Sequence, residues 1–363
     1  MPKQATPDAC YYAEYLRLDR LLDCQEPESL RRGQPAHDEM LFIVVHQAYE
    51  LWFKQILHEL GRIQAEFDRN PLEDESLGRI VRGLDRIIEI LKLLIQQLGV
   101  LETMTPLDFL DFRDLLIPAS GFQSVQFRLI EIALGLDRAA LHRPGREQID
   151  LRLSDADHAR VRAAEAGPKL VDQLDRWLAR TPFLKVGRFT FPDVYRAAVE
   201  RFLTADAARV RQNLAIGEEK REAEARQIEG ELKRLKALFE PASGPSSWRM
   251  SLPAVQAALF IMVYRDEPVL QLPFRLLTAL MDIEETLTMW RYRHALMVQR
   301  MIGVKVGTGG SSGHDYLRET AERHRIFSDL FQLSTFLIPR SQLPVLPAEL
   351  KQQLGYVYAV PDK

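Results

Sequence analysis

The amino-acid sequence predicts an all-α fold, and three observations carry that expectation. Leu77, Ile80, Val81, Leu84, Ile87, Ile88, Leu91, Leu94, Ile95 and Leu98 recur at spacings of three and four, the period of one helix face. Helix-start chemistry recurs too. It is clearest at Thr105-Pro106-Leu107-Asp108, where a capping hydroxyl, a proline at the first helical position and an acid at the third stand in order. No stretch alternates apolar and polar residues cleanly enough for a sheet strand.

From the N-terminus, helices are expected over 10–24 and 37–67. Within the second, Phe42, His46, Tyr49 and Phe53 share one face, and Leu41, Val44, Val45, Ala48 and Trp52 the other. A helix apolar nearly all round belongs at the centre of a fold. The 77–98 run makes about six turns of buried helix, and Gly99 stands where it should stop. The Thr105 cap opens a short helix, Pro118 separates it from the next, and Ser120-Gly121-Phe122-Gln123 reads as another capping box.

Further helices are expected over 155–180 and over 191–240, the latter opened by Thr190-Phe191-Pro192-Asp193. Residues 217–234 are almost entirely charged, so that end should project into solvent or lie along a partner. Helices over 252–265, 271–302 and 313–336 follow, and the tail from Pro339, rich in proline, should wrap the surface. Residues 142–157 and 240–247 read as surface connections too short to force a boundary. With no internal repeat, residues 1–363 are expected to form one helical domain.

Composition narrows the function. Lys and Arg number 48 against 51 Asp and Glu, a net charge of -3, which makes no field for gathering nucleic acid or anionic membrane. Cys10 and Cys24 are too few for a disulfide framework or a cysteine zinc site, and no C-x-x-C-H is present for covalent haem attachment. The opening MPKQATPDACYYAEYL lacks the apolar stretch of a secretory signal, and no uncharged run approaches a membrane span. A soluble, cytoplasmic protein is expected.

The glycine cluster GTGGSSG at 307–313 invites a phosphate-loop reading, which its letters contradict. A P-loop would continue with Lys, whereas Gly313 is followed by His314 and Asp315; the dinucleotide fingerprint would need glycine where Ser312 stands. A loop delivering the chain to a helix N-terminus, with Ser311 or Ser312 as cap, still suits an anionic group.

Three stretches could carry chemistry. His46 is either a satisfied core histidine or the one polar contact of an aromatic pocket. Arg113, four residues after Phe109, either pairs on the surface with Asp108, Asp111 or Asp114, or presents a buried guanidinium fork to a carboxylate. His294 has Trp290 one turn before it and Met297, Val298 and Met301 after it. With no H-E-x-x-H and no Cys/His cluster nearby, it is either structural or a single axial ligand to haem.

Together these stretches resemble the tryptophan 2,3-dioxygenase family. The resemblance is carried by FIVVHQAYELWFKQILHEL at 42–60, LETMTPLDFLDFRDLLIPASGFQSVQFR at 101–128, MVYRDEPVLQLPFRLLTALMDIEE at 262–285 and WRYRHALMVQRMIGVKVGTGGSSG at 290–313, and it extends from about Tyr11 to Pro339. It implies a cytoplasmic homotetramer that binds haem b non-covalently, with ferrous iron in the active form. The implied reaction inserts both atoms of O2 across the indole C2–C3 bond of L-tryptophan, giving N-formyl-L-kynurenine, the first step of tryptophan degradation by the kynurenine pathway. No nucleic acid or membrane partner is implied.

The resemblance also assigns roles. His294 matches the axial ligand of the haem iron and Trp290 its neighbour, while Ser120 and Gly121 fall beside the haem. His46 matches the distal histidine that accepts the indole N–H. Phe42 and Phe109 match the walls around the indole, with Ile43, Val44 and Val45 in the same run. Arg113 matches the holder of the substrate carboxylate and Thr308 a contact to the amino acid's charged end. Tyr12, Tyr15 and Leu16 match an N-terminal helix that reaches into the neighbouring subunit's pocket. The chain departs from familiar members at His314, where they carry tyrosine, and in the tail after Pro339. Two other activities compete: a haem monooxygenase of a substituted tryptophan, and a non-catalytic haem or tryptophan sensor. Retention of His46, Arg113 and Thr308 together speaks against the sensor.

Overall fold

A computed structural model of the chain describes residues 9–136, 153–239, 248–303, 317 and 323–356. The described residues are all-α, as the periodicity predicts, apart from a hairpin of Lys185–Val186 against Phe189–Thr190, turned by Gly187 at φ +55°. Two residues per strand are too few to show alternation, so the sequence pattern could not reveal it.

Three long helices build the centre: Glu39–Phe67, Asp74–Leu101 and Pro268–Ile302. The second packs along both of the others. Nine of its ten periodic apolar residues are buried, Ile95 being half-buried, and each buried side chain contributes about 1.5–3 kcal/mol relative to exposure. Gly99 does not end this helix, which runs on to the buried Leu101 because packing there outweighs glycine's modest helix penalty. Most of the buried apolar side chains among the described residues form one continuous cluster.

Several expected helices are divided. The 10–24 stretch breaks at Arg17, which takes a left-handed φ of 53°, into Tyr12–Leu16 and Leu18–Leu21. The 155–180 stretch breaks at Gly167-Pro168 into Asp155–Ala166 and Leu170–Leu178, since proline removes a helix donor and disfavours helical geometry in the residue before it. The 191–240 stretch turns at residues 213–217, and Phe191–Gln212 and Glu218–Phe239 pack against each other as a hairpin. Arg211 bridges that hairpin to Glu222 and Glu229, while Ala225 and Leu235 are buried. The charged helix therefore packs on its own neighbour instead of projecting alone.

The helix Glu39–Phe67 is apolar all round but not enclosed all round. Val45, Tyr49, Phe53, Ile56, Leu60 and Ile63 enter the core, whereas Met40, Val44, Leu51 and Trp52 are exposed. The helix Leu252–Val263 lies within two residues of its expected bounds, and Pro268–Ile302 begins three residues earlier than expected. Of the stretch expected as a helix over 313–336, residues 313–316 and 318–322 lie outside the described residues, and the rest ends in the short turns Ser328–Gln332 and Leu333–Phe336.

The loop 307–313, the connection 240–247 and most of 142–157 also lie outside the described residues. The tail docks more firmly than expected. Leu350 and Leu354 of the helix Ala348–Leu354 are fully buried, and the Tyr264 hydroxyl donates to the Pro344 carbonyl at 2.8 Å. No helix among the described residues is long and apolar enough to cross a membrane.

Candidate functional site

The first wall of the site comes from the helix Glu39–Phe67. Phe42 and His46 are one turn apart on it, and their ring centroids are 4.0 Å apart. His46 Nδ1 lies 2.7 Å from the Phe42 carbonyl oxygen. A carbonyl only accepts, so Nδ1 carries the proton and Nε2 is left as an acceptor. Burial pushes the His46 pKa below its ordinary value, against the opposing pull of that carbonyl and of Glu50. The imidazole is therefore neutral at neutral pH.

The second wall is the helix Pro106–Arg113, opened by the capping box the sequence predicts. Thr105 Oγ1 accepts from Asp108 N–H at 3.3 Å, and the Asp108 carboxylate accepts from Thr105 N–H at 3.0 Å. Hydrogen bonding from the Thr105 hydroxyl is the main reason the Asp108 pKa is lowered. This cap sets the helix that carries Phe109 against Phe42, with centroids 5.7 Å apart and planes inclined by 29°.

Phe112, fully buried, meets Phe42 at 5.6 Å and Phe109 at 5.4 Å, edge-on to both. Sequence reading missed Phe112 as part of this wall, although its spacing of three from Phe109 was a signal for it. Arg113 lies one turn beyond Phe109 with its side chain 13% exposed. It makes a long ion pair, 3.6 Å, with the exposed Asp114, while Asp108 is committed to the cap. The guanidinium is thus closer to the buried alternative than to a surface pair.

The third wall is the C-terminal half of Pro268–Ile302. Trp290 stacks against His294 with centroids 5.3 Å apart, and Phe127 packs on Trp290 at 4.9 Å. Tyr49, one turn after His46, meets Trp290 at 6.2 Å, so the two long helices face each other through these aromatics. Burial raises the Tyr49 phenol to about 12, and the nearby Trp290 N–H partly offsets this without reaching hydrogen-bonding geometry. Burial first, and His46 second, bring the His294 pKa down to about 4. His294 as a whole residue is half-buried, with its Nδ1 buried.

The remaining expected site residues are distributed as follows. Ser120 is half-buried and Gly121 exposed, in a 3-10 turn over Gly121–Gln123. The Gln123 side chain accepts from Ser120 N–H at 3.3 Å. The α-helix itself begins later, at Val125, capped by Ser124, whose hydroxyl accepts from Phe127 N–H; the box expected at Ser120 closes a 3-10 turn instead. Val45 is in the core, Ile43 half-buried and Val44 exposed. Tyr12, Tyr15 and Leu16 are exposed in the single chain. Thr308 and His314 lie outside the described residues.

The donor set fits a haem held by one protein ligand. Among the described residues no three His, Cys, Asp or Glu side chains cluster to hold a bare metal ion. His294 offers a neutral imidazole in an apolar, aromatic wall, with Nδ1 buried and without a partner among the described residues. A neutral ring nitrogen in such a wall is what axial ligation needs.

A sequence model of the family described as tryptophan 2,3-dioxygenase matches residues 2–337. The chain is similar to curated proteins of that name. One from Alteromonas mediterranea is 45% identical over 361 residues, covering 98% of this chain and 99% of the relative. One from Bdellovibrio bacteriovorus is 47% identical over 356 residues, 96% and 98% of the two chains. One from Dictyostelium discoideum is 42% identical over 363 residues, 98% and 91%.

Proposed function

The chain belongs to the tryptophan 2,3-dioxygenase family, and from that membership we infer that it inserts both atoms of O2 across the indole C2–C3 bond of L-tryptophan, giving N-formyl-L-kynurenine. At residue level the reading is supported above all by His46, a neutral imidazole with Nδ1 committed to the Phe42 carbonyl and Nε2 left to accept.

In this proposal His46 accepts the indole N–H at Nε2 and so orients the ring. Phe42 and Phe109 flank the indole, with Ile43, Val44 and Val45 in the adjoining run. Arg113 takes the substrate carboxylate through its planar fork, and Thr308 contacts the amino acid's charged end. Holding tryptophan at both ends presents C2 and C3 in one orientation, which supplies much of the catalytic help. The phenylalanine walls exclude water, so the Arg113–carboxylate and His46–indole contacts are stronger than they would be in bulk solvent.

His294 would hold the iron of a non-covalent haem b, which the active form would need ferrous, and Trp290, Ser120 and Gly121 would line its site. When bound, haem supplies the site for O2. The proposal includes one helical domain and a cytoplasmic homotetramer. In that assembly Tyr12, Tyr15 and Leu16 of one chain would enter a neighbour's pocket, and the exposed Val44, Leu51 and Trp52 would be covered.

The test mixes reduced, haem-loaded protein with L-tryptophan and labelled O2, following product absorbance and mass. Two labelled atoms per product molecule are expected. One labelled atom, or no product, overturns the reading.

A further inference from the structure

We propose that the buried network Glu131–Arg291–His324 is a positioning device for His294, an inference that rests on His294 being the haem ligand. Arg291 Nη2 lies 3.0 Å from Glu131 Oε1, and Arg291 Nη1 donates to the His324 carbonyl at 3.1 Å. His324 Nδ1 donates to the same Glu131 oxygen at 3.0 Å. The three side chains are only 3–6% exposed. Taking such charges out of water is repaid only by excellent geometry, and an apolar replacement is often as stable. A role in placement accounts for what stability does not.

The network acts where two helices meet twice. Phe127 and Glu131 are one turn apart on Val125–Leu134, and they face the consecutive residues Trp290 and Arg291. The Glu131–Arg291 pair thereby fixes where the Trp290 indole stands, and that indole stacks on His294.

Metal-bound histidines are ordinarily oriented by a hydrogen bond from the second ring nitrogen. Among the described residues His294 Nδ1 has no such partner, and the contact they give its ring is the stacked Trp290 indole. The third arm of the network ties in the 323–327 segment. Glu284, on the same long helix, holds that segment further by accepting from Ile326 and Phe327 N–H at 2.7 and 2.8 Å.

Haem-loaded Arg291→Lys and Glu131→Gln test the proposal. Lysine keeps the charge but loses the fork that spans carboxylate and carbonyl; glutamine keeps the shape. Arg79→Lys is the control, altering a remote pair in which Arg79 grips Glu66 at 2.9 and 3.1 Å. The readouts are the rate of haem transfer to excess apomyoglobin, the ferrous iron–histidine stretching band and the melting midpoint.

Both network variants should lose haem roughly tenfold faster or more, as loss of an orienting partner does, and should shift or broaden the iron–histidine band. The control should change only its melting. Unchanged haem loss and band in the network variants overturn the proposal, as does an equal change in the control. If Arg291→Lys does not fold, Glu131→Gln and His324→Asn carry the same comparison. A wild-type protein that shows the band but makes no N-formyl-L-kynurenine overturns the assigned activity alone. A wild-type protein without a band that depends on His294 overturns the ligand assignment.

Discussion

Phe109 stacks on Phe42 across two helices, 5.7 Å from centroid to centroid, and the fully buried Phe112 holds the pair from the side. The wall of the candidate pocket therefore depends on a residue behind it. Phe112→Ala should cost about 3–5 kcal/mol of stability, the range for a buried phenylalanine, and raise KM for tryptophan. Denaturant unfolding and steady-state kinetics measure both, and a loss below about 1 kcal/mol would show that the cluster repacks without it.

The Thr105 cap controls the same wall at its other end. Thr105→Ala removes one acceptor and one partner of Asp108, and should cost about 1 kcal/mol. Because the capped helix carries Phe109 and Arg113, KM should rise while kcat changes little. An unchanged KM would separate helix stability from substrate binding.

Arg113→Lys should raise KM about tenfold or more, the consequence of losing a charge-assisted hydrogen bond that an ammonium cannot replace in both branches. Product absorbance against tryptophan concentration reads this directly. Unchanged affinity would remove Arg113 from the carboxylate site.

His46 and His294 should separate cleanly. His294→Ala should abolish haem retention, seen in the Soret band, whereas His46→Ala should keep haem and part of the turnover, since His46 orients the indole without holding the iron. Turnover lost as fully in His46→Ala as in His294→Ala, with haem still bound in His46→Ala, would refute an orienting role.

Glu66 provides a pH test of the fold. The Arg79 fork, hydrogen-bonded to both its oxygens, is the largest cause of a pKa lowered from the ordinary 4.5. A depressed carboxylate stabilises the folded state above its unfolded pKa and loses that contribution as pH falls through its folded pKa. The melting difference between wild type and Glu66→Gln should be full near neutrality and shrink below about pH 4.5. A difference that grows on acidification would reverse the sign and exclude the pair as its source.

Much of the site was legible before the fold. The Thr105 box, the one-turn spacings of Phe42 to His46, Phe109 to Arg113 and Trp290 to His294, and the buried face of residues 77–98 all follow from helix geometry. The break at 213–217 was not legible, because a helical hairpin repeats the same periodicity on both sides of its turn, and the left-handed Arg17 carries no glycine or proline signal. Packing on Phe191–Gln212 explains why a charged run need not stand in solvent.

Helix class and the faces on which the chemical residues stand are local properties, set by a period of 3.6 and by caps a few residues wide. They were present in the sequence alone, as was the family through its long shared stretches. That Trp290 bridges Tyr49, Phe127 and His294, that Phe112 supports Phe42, and that Glu131, Arg291 and His324 meet were decided by tertiary packing. The physical reason is range. A contact between residues 160 or 193 positions apart has no local signature and exists only once the long helices have buried their shared faces.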